Sequence, residues 1–381
     1  MVTSNITSKK RRLNRVGTLP LVALLSLSAC GAEETSVVLE NGELVKICPS
    51  VIKIQTDWFP EAEHGGVYQL LGDDYEIDKD SASIRGSLMN RNIDTGIDVQ
   101  IYAGGEFTGG RSVSAVMYDD DTMTFGFVNT DSSVRDSADT PTVSVFAPLN
   151  KSPLGFMWDA QKHPGVETLA EALQEIDTVS VFGRLAFVEY LVADGLIPES
   201  KLDLNYKGDL QIATRDVIHQ GFGTTEPYQY NDQFGIEVAF ESLYDLGWPI
   251  YPETLAVRAD QLETLSGCLE ELVPILQDAQ IEFMKDPVRT VDVIVEANET
   301  YDSWWQYDRE LGLYSVAQQI ERGIVSSGSG TFGVMDETRV QKIIDAAAPI
   351  FRNLGKEVPE NLVVDDLIDN SFLDPSIEND Q

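Results

Sequence analysis

Val51-Ile52-Lys53-Ile54-Gln55-Thr56-Asp57-Trp58 alternates as a strand does, and Phe59-Pro60 stops it. His64-Gly65-Gly66-Val67-Tyr68-Gln69-Leu70-Leu71 reads as the helix that follows. Asp98–Tyr102 is a second strand, ending at Gly104-Gly105. Residues 111–123 read as helix, and Thr124–Val128 as a third strand, ending at Asn129-Thr130-Asp131. Strand, helix, strand, helix, strand is the pattern of a mostly parallel sheet with helical crossovers.

The middle of the chain repeats the idea. Val143–Pro148, Leu154–Trp158, Thr178–Phe182, Asp203–Tyr206 and Ile218–Phe222 read as strands, with helices at Val166–Leu173 and Leu185–Ala193. Thr254–Arg258 is one more strand. Beyond Asp260 the chain is almost wholly helical, over Gln261–Lys285, Val288–Ala297, Tyr301–Arg322 and Glu337–Leu354. The expected fold class is α/β with two lobes, each a mostly parallel sheet flanked by helices, and a helical C-terminal run. Lobe one takes 47–140 and 250–381, and lobe two takes 141–249. Ligands of open α/β sheets bind outside the carboxyl ends of the strands.

The first residues have a different character. Lys9, Lys10, Arg11, Arg12 and Arg15 precede a short apolar run that ends Leu27-Ser28-Ala29-Cys30, with no acid among them. This is the pattern of an export signal, too short to span a bilayer stably. Leu-Ser-Ala-Cys resembles a bacterial lipoprotein box, in which Cys30 is acylated. The expectation is a signal over 1–29, a polar acidic tether over 30–46, and a body held at the outer face of the cell membrane by lipid alone. The whole chain has 63 acids against 27 bases. Beyond residue 29 the charge is −41, because the signal removes five bases and no acid. Such acidity excludes nucleic acid as a partner. By itself it reads as a solvated acidic surface. With Cys30 lipidated, the internal cysteine pairing available is Cys48–Cys268, two buried free thiols being the alternative. No metal-binding spacing occurs, and neither a metal nor a cofactor is expected.

Ile52–Tyr68, IKIQTDWFPEAEHGGVY, resembles the opening of the substrate-binding lipoproteins of ABC importers, in the group that handles thiamine-pyrimidine precursors, nitrate and alkylsulfonates. Ala103-Gly104-Gly105, Thr124–Asp131, Glu226-Pro227-Tyr228 and Leu255–Arg258 follow in the order of that group. The resemblance implies a type II periplasmic-binding fold, expected as a monomer, that closes on a small molecule and delivers it to a permease and ATPase. Tyr75–Ile97 exceeds the usual connection and reads as an insertion in lobe one.

Several residues are candidates for the ligand site. Trp58 ends a strand where its ring can stack on a planar ligand. His64 opens a helix, where polar groups meet a ring nitrogen and backbone N–H groups. Asn129 and Asp131 offer a donor and acceptors at a strand end, or cap the next helix. Glu226, extended before Pro227, is an acceptor for amine or ring N–H donors, with Tyr228 beside it. Arg184 is a rare base that meets an anionic group or a local carboxylate. Trp304-Trp305, Tyr301 and Tyr307 read as core. Aromatic and acceptor-rich candidates favour a planar heterocycle of pyrimidine or vitamin-precursor type. The chain is expected not to be an enzyme; a heterocycle-processing enzyme on the same fold and a sensory lipoprotein are the alternative readings.

Overall fold

A computed structural model describes residues 44–325 and 330–378, all within one compact unit, Glu40–Gln381. The signal, Cys30 and the tether up to residue 43 lie outside the described residues.

The chain enters through the short helix α1 (Leu44–Ile47), whose Leu44 is buried, so the end of the expected tether belongs to the fold. It then forms β1 (Val51–Gln55), α2 (Gly65–Tyr68), β2 (Glu76–Asp78), β3 (Ser83–Asn90), β4 (Ile93–Tyr102), α3 (Val113–Asp119), β5 (Phe125–Val128), α4 (Thr130–Asp136) and β6 (Thr142–Phe146). The second lobe holds β7 (Leu154–Asp159), α5 (Leu169–Glu175), β8 (Val179–Ser180), α6 (Ala186–Ala193), β9 (Leu202–Asp203), β10 (Ile218–Phe222), α7 (Glu226–Phe234) and β11 (Val238–Ser242). The return strand β12 (Thr254–Arg258) leads into α8 (Leu262–Lys285), α9 (Val288–Tyr301), α10 (Arg309–Glu321) and α11 (Glu337–Asn353).

Seven strands form the first sheet, in the order β2-β3-β4-β1-β5-β12-β6, and five form the second, in the order β11-β7-β10-β8-β9. The first has a parallel centre and antiparallel flanks, and the second is parallel on its β10-β8-β9 side and antiparallel on its β11-β7-β10 side. In the first sheet β1 pairs parallel with β4 and β5, while β12 runs antiparallel to β5 and β6. In the second, β8 pairs parallel with β9 and β10, and β7 runs antiparallel to β10 and β11. The sheets are therefore mixed and not mostly parallel. The Tyr75–Ile97 insertion explains one flank: it is the β2–β3 meander, hydrogen-bonded onto β4.

The lobe limits also differ from those expected. Thr142–Phe146 is an edge strand of the first sheet, paired with β12, so the chain crosses after residue 146 and not at 141. Within the C-terminal segment, α11 bridges the lobes, packing on α4 of the first and on α6 of the second. Val340, Ile343, Ile344, Ala347 and Phe351 of α11 share a core with Phe156, Trp158, Val179 and Leu191 of the second lobe. An amphipathic helix buries its apolar stripe wherever a complementary face lies, whatever its position in sequence.

Arg339, in the first turn of α11, ties the crossovers together. Its guanidinium donates to the carbonyl and Oδ1 of Asn150 on one, at 2.6 and 2.8 Å, and to the carbonyls of Pro249 and Ile250 on the other, at 2.5 and 2.6 Å. The same group lies 3.6 Å over the Tyr251 ring. Cys48 and Cys268 are joined as a disulfide, with Cα atoms 4.9 Å apart, fastening the start of the first sheet to α8. Among the described residues no helix is long and apolar enough to cross a membrane.

Candidate functional site

The carboxyl end of β1 runs into Thr56-Asp57-Trp58. Gly104 fixes that turn from the next strand: a Cβ there would lie 2.4 Å from the Thr56 carbonyl oxygen and 2.3 Å from the Asp57 carbonyl carbon. The Trp58 carbonyl accepts the Gly104 N–H at 2.8 Å. A tight approach of two backbones is what a glycine allows. Further along, Gly65 and Gly66 let the start of α2 sit against Phe283 and Gln280 of α8, which sets the place of His64.

Around this turn the fold gathers carboxylates. Glu61, Glu63 and Glu253 are buried, Asp57 and Glu226 half-buried. Glu63 accepts from the Thr224 hydroxyl in a short contact and from Ser315 at 3.1 Å. Thr224 follows β10, so that hydrogen bond joins the lobes. His64, fully buried, places Nε2 2.9 Å from Asp57 Oδ1 and 3.8 Å from Glu253 Oε2. Tyr307 closes the site behind Glu61, its hydroxyl accepting the Ala62 N–H at 2.9 Å.

Glu253 has φ +49°, a left-handed conformation unusual for a residue with a side chain. Asn129 holds it there, Oδ1 accepting the Glu253 N–H at 2.8 Å. Such strain persists only where surrounding contacts impose it. The Glu253 Oε2, the Glu63 Oε2 and the His64 Nδ1 have no hydrogen-bond partner.

The electrostatics follow from burial and like charge. Burial pushes the Glu61 carboxyl well above the usual carboxylate range, and Glu63, Glu253, Asp57 and Glu226 push it further. Burial raises Glu253 well above that range too, helped by Asp57 and Glu63. Glu63 is raised by burial, against the hydrogen bond from Thr224. Glu226 is pushed up to about 7, chiefly by burial. Buried carboxyls raised in this way keep their protons more readily than usual, and a positive charge placed among their oxygens would favour the ionised form.

The structure brings only some sequence candidates to this cluster. His64 and Glu226 belong to it, and Trp58 adjoins it. Glu226 is not in an extended loop: it begins α7, with Pro227 next in the first turn, where a missing N–H costs nothing. Its Oε2 accepts the Phe222 N–H at 2.8 Å. Asn129 acts on Glu253. Asp131 faces the Trp248 indole N–H at 3.4 Å, where burial raises its carboxyl. Tyr228 donates to Glu310 at 3.4 Å and lines a cavity of about 410 Å³ with Trp305, Tyr307, Gln229 and Asp308. Arg184 is exposed and committed to Glu189, at 2.9 Å, and to Glu199.

Trp304 and Trp305 are not core. Trp304 is 53% exposed, and Trp305 is half-buried, stacked on Phe59 at 5.9 Å. They lie between α9 and α10, because Asp302 takes a left-handed conformation and ends α9, and α10 begins only at Arg309, where the sequence reads as helix from Tyr301. Trp58 meets both rings edge-on, at 6.2 and 6.0 Å. Asp57, Glu61, Glu63 and Glu253 are the site residues that sequence reasoning missed. Asp57 stands just past the end of β1 and Glu253 just before the start of β12, and Glu61 and Glu63 lie in the turn between β1 and α2.

No protein-family model matches the sequence, and none of the curated proteins does. Solved structures do resemble the fold. The periplasmic aliphatic sulphonate-binding protein of Escherichia coli is 10% identical with a TM-score of 0.54, covering 87% of this chain and 95% of its own. The ligand-binding component of an ABC-type import system from Staphylococcus aureus, solved with zinc bound, is 12% identical with a TM-score of 0.52, covering 84% and 97%. The alkanesulfonate-binding protein of Xanthomonas axonopodis, bound to MOPS, is 9% identical with a TM-score of 0.51, covering 84% and 98%. The chain thus has the two-lobed fold of periplasmic binding proteins.

Proposed function

We propose that this chain is the extracytoplasmic solute-binding protein of an ABC importer, anchored by lipid on Cys30, and that its solute is small, flat and positively charged. The observation that carries the reading is the convergence of Glu61, Glu63, Glu226 and Glu253 from both lobes at the strand ends. A sulfonate or nitrate would meet repulsion there, whereas a protonated nitrogen heterocycle of pyrimidine or vitamin-precursor type, or an amine, would offset the buried charge. Trp58 offers a ring face and Glu226 an acceptor for a ring N–H. Closure of the lobes excludes water and makes the surface a permease would recognise, with Thr224 and Glu63 meeting across the cleft. The protein binds and releases its solute unchanged.

A thermal-shift screen of pyrimidines, amines and sulfonates, followed by calorimetry, tests this. Cationic heterocycles or amines should raise Tm, and Glu226→Gln or Trp58→Ala should weaken the best hit by roughly ten- to hundredfold, as expected for a charged hydrogen bond or an aromatic contact. Hits confined to anions, or an affinity unchanged in both variants, would refute it.

A further inference from the structure

The geometry points to a divalent transition-metal site formed by Asp57, His64 and Glu253, all on the first lobe; it shares Glu253 with the solute reading but does not rest on it. Asp57 follows β1, His64 opens α2 and Glu253 precedes β12, so no local spacing motif announces the set. One donor atom from each lies within 4.8 Å of the others. Donors about 2.1 Å from a tetrahedral ion sit about 3.4 Å apart. The distances from His64 Nε2, 2.9 Å to Asp57 and 3.8 Å to Glu253, bracket that value, and the third separation is within 4.8 Å, so side-chain shifts of about 1 Å or less would complete the set.

The independent sign of a missing partner is Glu253. It is 3% exposed, held in a left-handed backbone conformation, and its Oε2 points at this group without a hydrogen bond. A buried carboxylate oxygen left unpaired is costly, and a cation is the partner that its two neighbours would share. One imidazole and two carboxylates suit Zn²⁺, Mn²⁺ or Fe²⁺ better than the all-oxygen shells of Ca²⁺ and Mg²⁺. The Asp57 side chain, 31% exposed, borders a cavity of about 150 Å³ with Phe127 and Asn129, a way in for the ion. Three protein donors leave coordination positions for water or a solute atom.

The chelator-stripped protein is titrated calorimetrically with Mn²⁺, Co²⁺ and Zn²⁺ in physiological salt and excess Mg²⁺, which suppresses loose binding to the acidic surface. One ion per chain should bind, with Kd on the order of micromolar or tighter. The Co²⁺ form should show the strong visible bands of low coordination. Asp57→Asn and Glu253→Gln should each weaken binding at least about tenfold, while the exposed Asp302→Asn should not. Asp57 is half-exposed, so its variant remains a fair test even where Glu253→Gln disturbs folding. No saturable binding of any of the three ions, or a Kd unchanged in Asp57→Asn, would overturn the site and leave the His64–Asp57 hydrogen bond in its place. Solute binding in the screen above, with or without added metal, bears on neither result.

Discussion

Replacing Arg339 with methionine should cost more than any other single change at the crossovers. The methionine keeps the apolar stem on Tyr251 but removes donors from four oxygens: the Asn150 carbonyl and Oδ1, and the Pro249 and Ile250 carbonyls. A hydrogen bond to a charged donor contributes about 1.5–3 kcal/mol, so simple addition gives about 6–12. That sum is too large, because neighbouring contacts are not additive and half-buried carbonyls regain water. Loss of the cation over Tyr251 adds about 1 kcal/mol. The net expectation is about 3–5 kcal/mol, or a Tm lowered by roughly 6–10 °C at about 2 °C per kcal/mol for a chain of this size. Arg339→Lys keeps the charge but has no planar fork, and should recover less than half of the loss. Urea unfolding gives the energy, and amide exchange should quicken around residues 150 and 250. A loss under about 1 kcal/mol for Arg339→Met, or full recovery with lysine, would refute the reasoning.

Acid should destabilise the protein through His219, which is fully buried, with Nδ1 donating to the Gln220 carbonyl at 2.7 Å and Nε2 accepting from the Tyr230 hydroxyl at 2.7 Å. Burial lowers its pKa to about 4, so the stability it contributes is present above the unfolded value of about 6.5 and is lost as pH falls towards 4. Between pH ~7 and ~4.5 the protein should lose about 2 kcal/mol more than His219→Gln does, and parallel urea-midpoint profiles would refute this. Reduction of Cys48–Cys268, which closes a separation of 220 residues, should lower stability by about 2–5 kcal/mol; an unchanged urea midpoint in dithiothreitol, with both thiols alkylated, would count against it.

Strand identity was legible where chemistry was local. β10 and β12 lie at the residues expected, because a short run with β-branched or aromatic members and a turn at its end admits little else. β11 was missed: every one of its residues is half-buried, as on an edge strand, so Val238–Ser242 carries no clear alternation. The β2–β3 meander read only as extra length, since its pairing to β4 is a tertiary fact. The break after α9 was read a few residues early, after Ala297, because neither a glycine nor a proline marks its true place at Asp302.

The acidic cluster was hidden differently. In a chain with 63 acids, the few that turn inward look like the rest, and composition alone favours the solvated reading. What selects them is topology. β12 is antiparallel to β5, with Thr254 opposite Val128, so the residue that precedes β12 arrives at the rim where β1 and β5 end. Glu253 therefore meets Asp57 and Asn129 although nearly two hundred residues separate it from the first. Rules that look only past the carboxyl ends of strands find Asp57 and Asn129 but not Glu253. A return strand reverses the rule: its binding residues stand before it, and here the left-handed conformation at Glu253 is what aims the carboxylate into the site instead of along the sheet.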